Sequence, residues 1–399
     1  MRMLQQSAVR TAAPDLDWRL LGPLLANSVI VQAVIGMLRV ATTYRTIELD
    51  LPVIWLGVIS ASFALLPVFA AVRLGRFIDR GHDSQAVWIG VALVLASAVG
   101  FWAWCPTGVH LLAYTVVLGF GHMFCMAGQQ MLAVRSAAFR ARDSAFGHYM
   151  VAASTGQGLG PFVVGWLGGD ATVPATGDLF GIALLGAFVC LAVSLTLRPG
   201  PRSPAPDAGA SVAVGALIRV PGMFAIIVAS VVTITSLDLL VVYLPLIGAE
   251  RHVNASDVGM LLTIRAVAAL VARAFFVRLV MLVGRQQLTF VSIAIAAGAF
   301  VLLALPSLAL MYLAIILAGL GLGISSTTTL SGIVDLAPAE ARGTALSLRI
   351  TGNRVGQVLV PFLASLIAEA TGTAGILLVI AATLAASGTA ARLSRRAEE

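Results

Sequence analysis

The chain has 399 residues, of which 59% are hydrophobic and only 11% charged, with a formal net charge of +7. A soluble chain carries about 25% charged residues, so a water-soluble fold is excluded for want of polar surface. All 25 basic residues are arginine, and they are not clustered with aromatics as a nucleic-acid footprint requires, which argues against a nucleic-acid partner.

In chain order, residues 1–16 are polar and lack the apolar core and cleavage site of a signal peptide, so the first apolar run is expected to stay. About 20 apolar helical residues cross a bilayer core of about 30 Å. On that scale the sequence predicts spans at 20–42, 53–73, 86–104, 109–133, 145–168 and 178–197, then 221–246, 257–281, 288–305, 309–333, 342–369 and 373–391. Between the two sets lies 198–220, rich in Pro, Gly and Ser, which reads as a linker. The expected organisation is a tail (1–19), a six-helix bundle (20–197), the linker (198–220), a second six-helix bundle (221–391) and a short tail (392–399).

If the first residues are cytoplasmic, 18 arginines fall in cytoplasmic segments and only Arg45 and Arg251 in outer loops. That excess predicts both termini on the cytoplasmic side of a multi-pass protein of the inner (cytoplasmic) membrane. Trp18 and Trp88 fall at inner span ends, and Trp55, Trp102, Trp104 and Trp166 at outer ends, as interfacial aromatic belts do. Cys105, Cys125 and Cys190 show no metal-ligand spacing and read as reduced, buried thiols. No metal, cofactor or catalytic constellation is expected, so the chain is not read as an enzyme.

The two sets of spans echo each other. Thr155-Gly-Gln-Gly-Leu-Gly160 in the fifth matches Thr351-Gly-Asn-Arg-Val-Gly356 in the eleventh, and Gly147 matches Gly343, all at an offset of 196 residues. Gly119 and Gly121 in the fourth match Gly319 and Gly321 in the tenth, at an offset of 200 residues. Such internal symmetry is typical of transporters built from repeats.

The loop after the second span reads Gly75-Arg-Phe-Ile-Asp79-Arg80-Gly81-His82. It resembles the Gly-x-x-x-Asp-Arg-x-Gly-Arg signature of the major facilitator superfamily, with Gly81 one place early and the final basic residue missing. The resemblance covers the whole chain. It implies an all-α membrane fold of twelve helices in two pseudo-symmetric six-helix bundles, working as a monomer. It also implies that Asp79 faces the start of the eleventh span near Gly343, as part of a gate with Gly75 and Arg80. Gly156, Gly160 and Pro161 in the fifth span resemble the Gly-x-x-x-Gly-Pro pattern of the family's bacterial proton-coupled exporters. The basic residue those exporters carry in the fourth span is absent here.

Ionisable groups at membrane depth are costly and face a cavity or a partner. Arg265, Arg273 and Arg354 lie mid-span. Arg39 lies near an outer end and Arg349 near an inner one, each within reach of water. Asp238 in the seventh span is the one comparably deep acid. Two readings stay open: an anionic substrate completes the site, since guanidinium matches carboxylate and phosphate, or Asp238 pairs with one arginine while water and backbone satisfy the rest. Arg265 and Arg354 are the preferred substrate contacts. Asn27, Gln32, His122, Gln129, Ser325 and Thr328 are candidate polar lining of the same cavity. Asp238 and His122 are the candidates for proton coupling. The expected activity is alternating-access transport of a small organic anion or amphiphile across the inner membrane, coupled to protons. The alternative is a multidrug–proton antiporter for cationic or neutral amphiphiles.

Overall fold

The computed structural model describes residues 16–197, 214–338 and 341–396. The expected tail and linker fall mostly outside the described residues, at 1–15, 198–213 and 397–399. The helices are α1 (Trp18–Glu48), α2 (Ile54–Asp79), α3 (Asp83–Ala103), α4 (Gly108–Arg135), α5 (Arg142–Gly168), α6 (Thr176–Ser194) and the short α7 (Val214–Ile218). Then follow α8 (Met223–Glu250), α9 (Ala255–Ala274), α10 (Phe276–Val283), α11 (Arg285–Leu303), α12 (Leu308–Leu336) and α13 (Arg342–Arg396).

Ten helices are long and apolar enough to cross a membrane among the described residues. Two adjustments bring them to the expected twelve. α5, with five glycines between Gly156 and Gly168 alone besides Ser, Gln and His, is diluted below that hydropathy yet has 27 residues. α13 contains two spans, broken at Gly372, where φ is +72°; glycine adopts that backbone without a Cβ clash. The eighth span also differs from expectation, because the chain breaks at Phe275 and continues as α10, none of whose residues is buried.

Small residues let helix backbones approach closely in a bilayer, where apolar burial supplies no drive between helices. The repeated glycines do this symmetrically. A Cβ on Gly119 would collide with the Phe63 carbonyl on α2, and one on Gly121 would lie 2.8 Å from the Gly90 carbonyl on α3. In the second half, a Cβ on Gly319 would lie 2.6 Å from the Arg265 carbonyl on α9, and one on Gly321 2.6 Å from that of Ser292 on α11. Likewise Gly156 packs α5 on α1, and its counterpart Gly352 packs α13 on α8.

Polar contacts repeat too. Arg45 donates to the Cys105 carbonyl beyond the end of α3, and Arg251 to the carbonyls of Leu303, Ala304 and Leu305 at the end of α11. Cations there oppose the negative end of the helix dipole. Arg45 was expected in a loop but sits in the last turn of α1. Thr176 donates to Glu48 in one half, and Thr373 to Glu250 in the other. Asp83 at the start of α3 pairs with Arg135 at the end of α4 (2.6 Å), while Arg285 at the start of α11 pairs with Asp335 near the end of α12. The ion pair is conserved between halves with its charges exchanged.

The halves close against each other at the face opposite the chain ends, called here the distal face. The Ala255 N–H donates to the Ala171 carbonyl (2.8 Å) and the Ser256 N–H to that of Gly169 (3.1 Å). A Cβ on Gly57 of α2 would lie 2.5 Å from the Pro361 carbonyl of α13. Nearer the face bearing the chain ends, Arg273 of one half donates to the Ser154 hydroxyl of the other (3.3 Å). Beyond it, a Cβ on Gly75, Gly147 or Gly343 would meet nothing within 4 Å. Around these three glycines the terminal face is open.

Candidate functional site

Where the halves meet at mid-depth, Arg39 of α1 forms an ion pair with Asp238 of α8, Nη1 to Oδ1 at 2.9 Å. The reading of Arg39 as reaching outward to water is thus corrected: an acid in the other half takes it. Its guanidinium also stands 4.7 Å from the centroid of the Phe63 ring, which attracts cations by its quadrupole. Phe63 in turn leans on the His122 ring at 5.4 Å. One turn further along α1, the Thr43 hydroxyl donates to the Val242 carbonyl (3.1 Å), so α1 and α8 are joined at two successive turns.

The second carboxylate oxygen of Asp238 accepts from the Gln357 amide, whose own oxygen accepts from Arg354 Nη1 at 3.0 Å. Gln357 and Arg354 are three apart on α13, a spacing that places side chains on one helix face. Arg265 of α9 is 6% exposed and its Nε has no partner. It lies in the field of Asp238, Arg273 and Arg39. Both ring nitrogens of His122 are shielded and without partner, in the field of Arg354, Arg39 and Asp238. The core of the site is thus the Arg39–Asp238 pair extended through Gln357 to Arg354, with Arg265 and the uncommitted His122 imidazole in its field.

Other expected lining residues are committed elsewhere. Gln129 donates to Asn27 (2.8 Å), and Asn27 to the Cys190 carbonyl (3.2 Å), so both bind α1, α4 and α6 together. Gln32 is 4% exposed and packs beside Gly156 of α5. Ser325 and Thr328 are buried and donate to carbonyls of their own helix, at Leu322 and Ser325. Arg349 donates to the Ser230 hydroxyl (2.8 Å), which donates to Asn353 (3.3 Å). Gln357 and Phe63 are the site members that sequence reasoning missed. Gln357 had a signal in its spacing from Arg354; Phe63 had none, being one apolar residue among many.

The gate residues divide. Asp79 and Arg80 are exposed, and Asp79 makes no hydrogen bond or ion pair among the described residues. Among the described residues, the contact with the Gly343 end of α13 that the resemblance implied is not made, and the space around Gly343 is open. Gly156 and Gly160 face α1, while Gly158 and Gly165 face Ala266 and Gly259 of α9. The Gly-rich stretch of α5 thus serves two interfaces, and the Pro161 carbonyl meets Gly259 across the halves.

The sequence profile of the Major Facilitator Superfamily matches residues 16–250 and again 226–399. A point mutant of the nucleoside transporter NupG shares the fold with a TM-score of 0.78 at 15% identity, covering 94% of this chain and 99% of its own. A bacterial homologue of the human lysosomal transporter Spinster, inward-facing and occupied, gives 0.72 at 15% identity, covering 94% and 96%. A POT family transporter in complex with 5-aminolevulinic acid gives 0.75 at 13% identity, covering 92% and 94%. No curated protein sequence matches the chain.

Proposed function

The chain belongs to the Major Facilitator Superfamily, and from that premise we propose that it is a secondary transporter of small organic anions, working by alternating access in the cytoplasmic membrane with both termini inside. In this reading, bundles 20–197 and 221–391 rock about the mid-depth site, joined by the linker 198–220. The observation that carries the anion assignment is the excess of cations: Asp238 is already taken by Arg39, Arg354 reaches it only through the neutral Gln357 amide, and the buried Arg265 has an Nε without a partner. Unpaired guanidinium at membrane depth is costly and is offset by a ligand of opposite charge.

Proton coupling is part of the proposal, with Asp238 and His122 as the exchanging groups. Asp238 bridges the halves through Arg39, so a proton on its carboxylate would loosen their contact. The His122 imidazole has no hydrogen-bond partner, which leaves its one unprotonated ring nitrogen uncommitted.

The test is counterflow in proteoliposomes with labelled small carboxylates, comparing the wild type with Arg354→Gln. Saturable exchange that the variant loses supports the reading. Exchange of cationic amphiphiles that ignores carboxylates and survives the substitution replaces it with the multidrug antiporter. Substrate-driven alkalinisation on the side that supplies the proton tests the coupling, and its absence removes Asp238 and His122 as carriers.

A further inference from the structure

We infer that the mid-depth site is charge-matched to a dianion, a molecule with two negative charges, one facing Arg265 and one facing Arg354. This rests on the anion reading above and narrows it.

Arg39 and Asp238 satisfy each other at 2.9 Å. Two cations remain. Arg265 has an Nε with no partner, and Arg354 is held at Nη1 only by the neutral amide of Gln357. Arg354 of α13 reaches the Asp238 carboxylate through the Gln357 amide, and Arg265 of α9, 6% exposed, lies in the field of the same pair.

No second acid is available to balance them among the described residues. Every other Asp or Glu in the helices sits at a helix end or beside the break at Gly372. Arg273, the next charge along α9, adds to the excess and meets only the Ser154 hydroxyl. A proton on His122 would also increase it.

The consequence follows from desolvation. For the carrier to alternate, the terminal face must close over the site. Closing it over two unneutralised guanidinium groups takes both out of water with no counter-charge. A monoanion leaves one of Arg265 and Arg354 bare; a dianion answers both, while Arg273 keeps the Ser154 hydroxyl. The state that must be crossed in transport is therefore formed most readily around a dianion, and the second anionic group is what selects it. Each end is recognised by a planar fork of donors suited to carboxylate or phosphoryl oxygens.

The experiment is thermal unfolding of the purified full chain at fixed ionic strength with succinate and with its monomethyl ester, which keep the carbon skeleton and differ by one charge. Sulfate serves as an inorganic dianion. We expect succinate to half-saturate at about tenfold lower concentration than the ester, the value of one charge-assisted hydrogen bond. Arg354→Gln removes one unmatched cation, so the ratio should fall towards unity while the ester still binds. Arg354→Lys keeps the charge and should keep the preference, which separates charge from misfolding. If the ester binds as well as succinate, or Arg354→Gln weakens both equally, the dianion inference is overturned and the anion reading stands. If sulfate, succinate and the ester all leave the transition unmoved, both fall together.

Discussion

At the scale of single residues, the informative feature is which charges find partners within the protein. Asp238→Asn should destabilise the chain by about 1–3 kcal/mol, because it leaves the partly buried Arg39 without its carboxylate. A fall in the unfolding temperature checks this, and no change would mean that the Phe63 ring and water satisfy Arg39. Cys105 offers a pH test outside the spans. Burial pushes its thiol up to about 11, against an opposing pull from Arg45. The thiolate is the reactive form, so site-resolved alkylation of Cys105 should still rise about tenfold per pH unit between pH 8 and 10. A plateau by pH 9 would show an ordinary exposed thiol. Arg45→Gln should slow alkylation further, since it removes the cation that favours the thiolate.

At the scale of helices, contact distances decide which glycines tolerate substitution. Gly119→Ala would drive a methyl group into the Phe63 carbonyl, a rigid backbone atom. It should cost about 1–3 kcal/mol, the usual price of overpacking. Gly147→Ala meets nothing within 4 Å, and the gain in helix propensity should make it neutral or stabilising by up to about 1 kcal/mol. Thermal unfolding of the two variants side by side distinguishes packing from composition, since both remove one glycine from one helix of the same half. Equal effects would sink the packing account. The ion pairs Asp83–Arg135 and Arg285–Asp335 perform one task with exchanged charges. What the third and fourth helices of each half require is an opposite charge at their shared end, and either helix can supply either sign.

At the scale of the whole molecule, closure at the distal face and an open terminal face correspond to one of the two states of the proposed alternating-access cycle. Spin labels at Gly147→Cys and Gly343→Cys, one in each half at the open face, should report a distance that shortens when substrate is bound and the terminal face closes. A distribution indifferent to every transported ligand would argue against rocking of the halves. The sequence by itself determined the solvent, the number of spans and the repeat, because hydropathy is a sum over about 20 neighbouring residues and glycine recurrence is read along the chain. It also determined that charge lies at depth, since Asp238, Arg265, Arg273 and Arg354 stand out mid-span against apolar runs. Pairing was decided only by tertiary structure. Asp238 chose Arg39, 199 positions away, over nearer arginines, and Asn27 and Gln129 chose each other over the cavity. A helix places its side chains around a full circle, and a bilayer gives no amphipathic stripe to say which side faces a neighbour. Rotation and partner are therefore settled only when backbones meet through their small residues, as Gly119 on Phe63 and Gly319 on Arg265 do here.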